Sequence, residues 1–162
     1  MGADAGPIAA AALHPMLEGV DASAADAGSV AAARYATTLT AVPAGADGVP
    51  VLDLLLLGMG PDGHILSVFP ASPALAADRP IVLPIPAPTH IGPSVPRVTL
   101  NPALVAAARQ VLLMVGGANK SRVLAEVLEG DPAIDAYPAR LARIDTATWL
   151  LDPDSAAGLA RG

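Results

Sequence analysis

The sequence predicts an α/β fold, with an open, mostly parallel sheet and helices on both faces. Two observations carry this. Residues 51–57 form an apolar run that ends in a glycine-rich turn at Gly58 and Gly60, and residues 110–115 form a second run that ends at Gly116-Gly117. Each turn leads into a segment read as helical, so the unit strand–glycine turn–helix occurs twice, as parallel sheets require. Ligands of open α/β sheets bind beyond the carboxyl ends of the strands, which places both glycine turns on the functional edge.

The elements follow in order. Residues 1–13 are small and featureless, and residues 13–17 suit a short extended piece. An Ala-rich helix is expected over residues 24–42, because Ala31, Tyr35, Leu39 and Val42 share one face. Ser23 and Asp26 are its candidate N-caps. Pro43, Gly45, Gly48 and Pro50 mark a loop. The length and flanks of residues 51–57 suit a strand buried on both faces. Residues 70–96 are proline-rich and read as loop with one or two edge strands, such as 81–85. A short strand at 97–100 precedes a helix at 102–108, with Asn101 as N-cap and Pro102 at the first helical position. The strand at 110–115 leads to a helix at 118–129. There Val123 pairs with Val127 and Leu124 with Leu128, and Gly130 ends the helix. Residues 146–151 form the last strand, and Asp152-Pro153 opens a short terminal helix.

Composition narrows the function. At 162 residues the chain fits one domain, residues 1–162, with a sizeable core, and 53% hydrophobic residues exclude a disordered segment. The chain has no cysteine, so disulfides and thiolate metal sites are excluded. A net charge of −6 disfavours nucleic acid and anionic membranes as partners, and 2% aromatics leave no base-stacking platform. No apolar run approaches the roughly 20 residues of a membrane helix, and the N-terminus lacks the basic start of a signal peptide. These features read as a cytoplasmic protein with a small-molecule substrate.

The chemistry concentrates in Gly-Met-Gly-Pro-Asp-Gly-His-Ile-Leu-Ser-Val-Phe-Pro at 58–70. His64 can accept a proton from water at cellular pH. Its place after Gly63 predicts the start of a short helix, whose positive end would keep the imidazole neutral. A structural histidine that caps the helix or fills a gap is equally open. Asp62 can orient His64, handle a proton, or cap the helix. Asp53 lies in the apolar run, away from the turn, and suits a structural hydrogen bond. In Gly116-Gly117-Ala118-Asn119-Lys120, helix amides and the chain's one lysine suggest an anion site, against the plainer reading of a solvated first-turn residue. The spacing is not that of a P-loop. Gly58, Gly60 and Gly63 match GxGxxG, but no strand delivers the acidic residue of a dinucleotide site. His14, at an expected strand edge, and His90, in a Pro/Gly loop, have weak claims. No ligand spacing supports a metal, and no GxSxG elbow is present.

The segment 58–70 resembles the signature of 6-phosphogluconolactonases, in which Gly-x-Gly-x-Asp-Gly-His leads to Ser-x-Phe-Pro. Arg97-Val98-Thr99-Leu100, Gly117-Ala118-Asn119-Lys120, Tyr137-Pro138-Ala139-Arg140 and Thr148-Trp149-Leu150-Leu151-Asp152 resemble further family blocks in the family's order. The resemblance implies the sugar-phosphate isomerase-like α/β fold, no metal and no organic cofactor. It implies hydrolysis of 6-phosphogluconolactone to 6-phosphogluconate in the pentose phosphate pathway. His64 would be the general base, with Asp62 beside it. Lys120 and its helix terminus would grip the phosphate, Arg97 would be a second anion contact, and Gly58 and Gly60 would admit the sugar to the backbone.

The departures from the family pattern lie at the front. A first strand with a Gly-Gly-Ser/Thr loop and an Asp-Glu-Arg motif have no counterpart, so the chain reads as the C-terminal portion of such a domain. Thr89–Pro96 replaces a Pro-Lys-Pro-Pro stretch and has no lysine. The family suggests a monomer at full length. Here an uncovered side of the sheet is expected, and with it self-association. Two rivals stand beside the lactonase. One is a truncated, non-catalytic relative that binds sugar phosphate or a partner chain. The other is an isomerase or deaminase of the same fold, against which the Ser67–Pro70 ending argues.

Overall fold

The computed structural model describes residues 8–160. It holds two sheets. The first is parallel, in the order β1 (Leu55–Gly58), β4 (Val111–Val115), β5 (Ala147–Leu151). The second is an antiparallel pair, β2 (Val82–Ile85) and β3 (Arg97–Leu100). Four helices accompany them: α1 (Ala27–Leu39), α2 (Ala103–Ala107), α3 (Ser121–Leu128) and α4 (Pro153–Ala156). The mixed α/β fold with a parallel sheet is the one the repeated strand–turn–helix unit predicts.

The main core lies on one side of the parallel sheet. Leu55, Leu57, Val111, Leu113 and Val115 point into it and meet Val105 of α2, Leu124 and Val127 of α3, and Ala139 and Ala142. The period-2 alternation of a strand dictates this sorting. Alternate residues therefore face the other way, and there Leu54, Leu56, Met114 and Leu150 are about half exposed. Residues 51–57 are thus not a strand buried on both faces. The strand is shorter, Leu55–Gly58, and its second face is open among the described residues. This is the uncovered side that the family pattern led us to expect.

Helix α1 packs on the antiparallel pair through Ala32 and Leu39, with Tyr35 and Val42 at the margin, as its apolar stripe predicts. Neither candidate cap serves it. Asp26 makes no capping bond, and Ser23 instead bonds Asp21. Residues 13–17 lead into turns rather than an extended piece, so His14 sits on no strand edge. Asp53 precedes β1, lies exposed, and pairs with Arg109 at 3.0 Å. A Leu-rich context made it look buried, whereas the strand begins only after it. Asn101 does cap the turn into α2, accepting the Ala103 amide at 2.9 Å. The expected helix at 118–129 splits into a 3-10 turn, Ala118–Lys120, and α3. No described helix is long and apolar enough to cross a membrane.

Candidate active site

Register brings the two glycine turns together. Leu55–Gly58 pairs in parallel with residues 111–114, so the segments after Gly58 and after Val115 leave neighbouring strands at the same edge. The first of these is a tight turn and not a helix. The Gly60 amide donates to the His64 carbonyl at 2.9 Å, and Gly63 donates back to Gly60 at 3.0 Å. Gly63 has φ +80°, a left-handed value that glycine adopts without strain. Leu66 and Ser67 follow with positive φ, which ends any helical path. The expected helix terminus beside His64 is therefore absent, and with it the macrodipole account of a neutral imidazole.

A carboxylate orients the ring instead. His64 Nδ1 lies 2.6 Å from Asp62 Oδ1, which also accepts the His64 backbone amide at 3.3 Å. An ionised carboxylate only accepts, so Nδ1 carries a proton, and in the neutral ring it is Nε2 that holds the lone pair. The His64 side chain is 22% exposed, enough to meet water. Burial pushes the Asp62 carboxyl up, but hydrogen bonds from the side chains of His64 and His90, the charge of His64 and the His64 amide outweigh it. The result lies well below the usual carboxylate range. A depressed folded value gives stability that is present above the ordinary aspartate value of about 3.9 and lost as pH falls below it. Asp62→Asn should therefore flatten the loss of stability below about pH 4, read as the urea midpoint at stepped pH. A fall as steep as that of wild type would contradict this account.

His90 is the residue the sequence reading underrated. Its Nε2 lies 2.7 Å from Asp62 Oδ2, so one carboxylate joins two imidazoles. The signal was a histidine inside the stretch that replaces Pro-Lys-Pro-Pro. Phe69, which is buried, forms the floor. Its ring centroid is 4.5 Å from that of His64 and 5.8 Å from that of His90. Arg97 reaches the same ring, with its guanidinium carbon 5.8 Å from the centroid. One Arg97 nitrogen donates to the Pro93 carbonyl at 3.0 Å, while the buried Nε has no hydrogen-bond partner among the described residues. The Ala139 amide donates to the Gly63 carbonyl at 2.8 Å and pins the turn to the segment Pro138–Ala142.

The second turn is differently furnished. Gly117, at φ +98°, aims its amide at the Asp152 carboxylate, 2.9 and 3.1 Å away. Asp152 also caps α4 through the Ser155 amide at 2.7 Å. Hydrogen bonds from Ser155 lead the effects that hold its carboxyl below the usual range, and the charge of Lys120 adds to them. So the Gly117 amide at this turn is given to a carboxylate of the chain itself. Among the described residues no hydrogen bond or ion pair ties Lys120 to the Asp62–His64 pair. The structure gathers Asp62, His64 and Arg97, with Gly60 beneath the imidazole, and leaves Lys120 on the adjoining turn.

A family model described as glucosamine-6-phosphate isomerases/6-phosphogluconolactonase matches residues 3–150. The chain belongs to this family. Within the glucosamine-6-phosphate isomerase/6-phosphogluconolactonase family, it is 41% identical to human 6-phosphogluconolactonase over 112 residues, covering 68% of this chain and 42% of that protein. It is 38% identical to 6-phosphogluconolactonase of Streptomyces coelicolor over 135 residues, covering 80% of this chain and 50% of the relative. The structure of 6-phosphogluconolactonase from Trypanosoma brucei superposes with a TM-score of 0.74 at 34% identity, covering 85% of this chain and 56% of that one. The chain thus spans about half the length of the family members it matches.

Proposed function

We propose that this chain hydrolyses 6-phospho-D-glucono-1,5-lactone to 6-phosphogluconate, a step of the pentose phosphate pathway, with His64 as general base. The observation that carries the reading is the 2.6 Å Asp62–His64 bond, which leaves Nε2 as a free acceptor. His64 Nε2 takes a proton from water as the oxygen adds to the lactone carbonyl. Asp62 holds the ring and stabilises the imidazolium that forms. The oxyanion collapses, the C1–O5 bond breaks, and His64 returns its proton to the leaving ring oxygen. Gly58, exposed at the end of β1, leaves room for the sugar against the backbone, whereas the space expected over Gly60 is filled by the His64 ring. Arg97 and Lys120 offer the positive charge for the oxyanion and the phosphate. These steps use side chains alone, in a protein of the cytoplasm.

The reading is tested by following acid release from the lactone against the buffer rate. Acceleration is expected, and Lys120→Ala should raise KM about tenfold with little change in kcat, as loss of uniform binding does. The lactone lacking phosphate should not feel that substitution. No acceleration would overturn the reading. A second reading is a binder of sugar phosphates without turnover. Asp152 on the Gly117 amide favours it, because one donor of the anion site is already taken. Saturable, Lys120-dependent binding without hydrolysis would decide for it.

A further inference from the structure

We infer that His90 is a positioning residue, clamping the second oxygen of Asp62 so that His64 keeps its productive tautomer. This deepens the lactonase reading and rests on it. Among the described residues, His90 Nε2 is the only donor to Asp62 Oδ2, at 2.7 Å, while His64 supplies the donors to Oδ1. A carboxylate held at one oxygen can still turn about its Cβ–Cγ bond. Held at both, it cannot, and the direction of its bond to His64 Nδ1 is fixed. The reach of His90 is itself secured. Ser94 Oγ donates to the Pro88 carbonyl at 2.7 Å and closes the loop that carries the ring, and Arg97 ties the same loop through the Pro93 carbonyl. The edge of His90 also rests against Phe69, the ring that supports His64. Two imidazoles and one carboxylate thus form a chain that holds the His64 Nδ1 edge against Asp62 and turns its Nε2 edge away from the carboxylate.

The donor and the packing can be separated by substitution. A glutamine amide nitrogen reaches where Nε2 lies, whereas phenylalanine keeps a ring against Phe69 and donates nothing. His90→Ala and His90→Phe should each lower kcat about tenfold with little change in KM, the size of one charge-assisted hydrogen bond. His90→Gln should recover most of that loss. In parallel, ¹⁵N spectra of the histidine rings should show His64 as a single Nδ1–H tautomer in wild type and His90→Gln, and as a mixture in His90→Ala and His90→Phe. His90→Phe matching wild type in both readouts would overturn the proposal in favour of ring packing. An unmixed tautomer in His90→Ala would also overturn it. If wild type itself fails to turn over the lactone, that failure belongs to the reaction, and the tautomer pattern alone decides the role of His90.

Discussion

On the proposed reaction, His64→Ala should lower lactone turnover by about 10²–10⁴-fold, the usual worth of a positioned general base. The fold should survive. The His64 side chain is partly exposed, so its removal opens no cavity in the main core, while its neighbours Ile65 and Val68 remain fully buried. The turn is closed by backbone bonds between Gly60 and His64 and between Gly63 and Ala139, none of which needs the imidazole. Asp62 loses one partner and keeps the other, His90. Far-UV circular dichroism and the urea midpoint should therefore stay close to wild type while kcat collapses. A variant that hydrolyses the lactone at the wild-type rate removes His64 from the mechanism.

Gly60→Ala should be nearly as damaging to activity, by about 10²-fold, for a purely steric reason. A Cβ at Gly60 would overlap the His64 ring at Nδ1 and Cε1 and come within 2.7 Å of Asp62 Oδ1. The methyl group has no way to avoid them, since Gly60 is buried at the bottom of the turn. The imidazole must swing away, and the bond that sets its tautomer breaks. A misplacement of about 1 Å in a catalytic group is enough for a loss of this size. Crystal or NMR data on the variant should show the Asp62–His64 distance beyond hydrogen-bond reach. A kcat close to wild type would mean that the base works without that contact.

These two residues also show what the sequence could and could not say. The glycines, Asp62 and His64 are neighbours in the chain, so their grouping was readable from spacing alone. The strands β1 and β4 were readable for a similar reason: runs of Leu and Val ending at glycine leave few other choices. What escaped depended on contacts distant in sequence. His90 is 28 residues from Asp62, and only the folded loop brings them together. Asp152 is 35 residues from Gly117, and nothing local announces that it would occupy the second glycine turn. The helix expected after Gly63 failed because Leu66 and Ser67 adopt left-handed backbone, a choice that propensity does not foretell. Both-face burial of residues 51–57 failed because an apolar run records what a strand can bury, and which layers cover it is decided elsewhere in the fold.

The half-exposed Leu54, Leu56, Met114 and Leu150 have a practical consequence for anyone who measures this molecule. Fluorescent dyes that light up on apolar surface usually report the loss of a packed interior. Here the native sheet already offers them a landing place. The dye signal should start high and change little on heating, so a melting curve recorded that way would look flat for a chain that unfolds cooperatively. The environment of Trp149, whose indole N–H donates to the Ala142 carbonyl at 3.3 Å, gives an intrinsic reporter on the packed side of the structure.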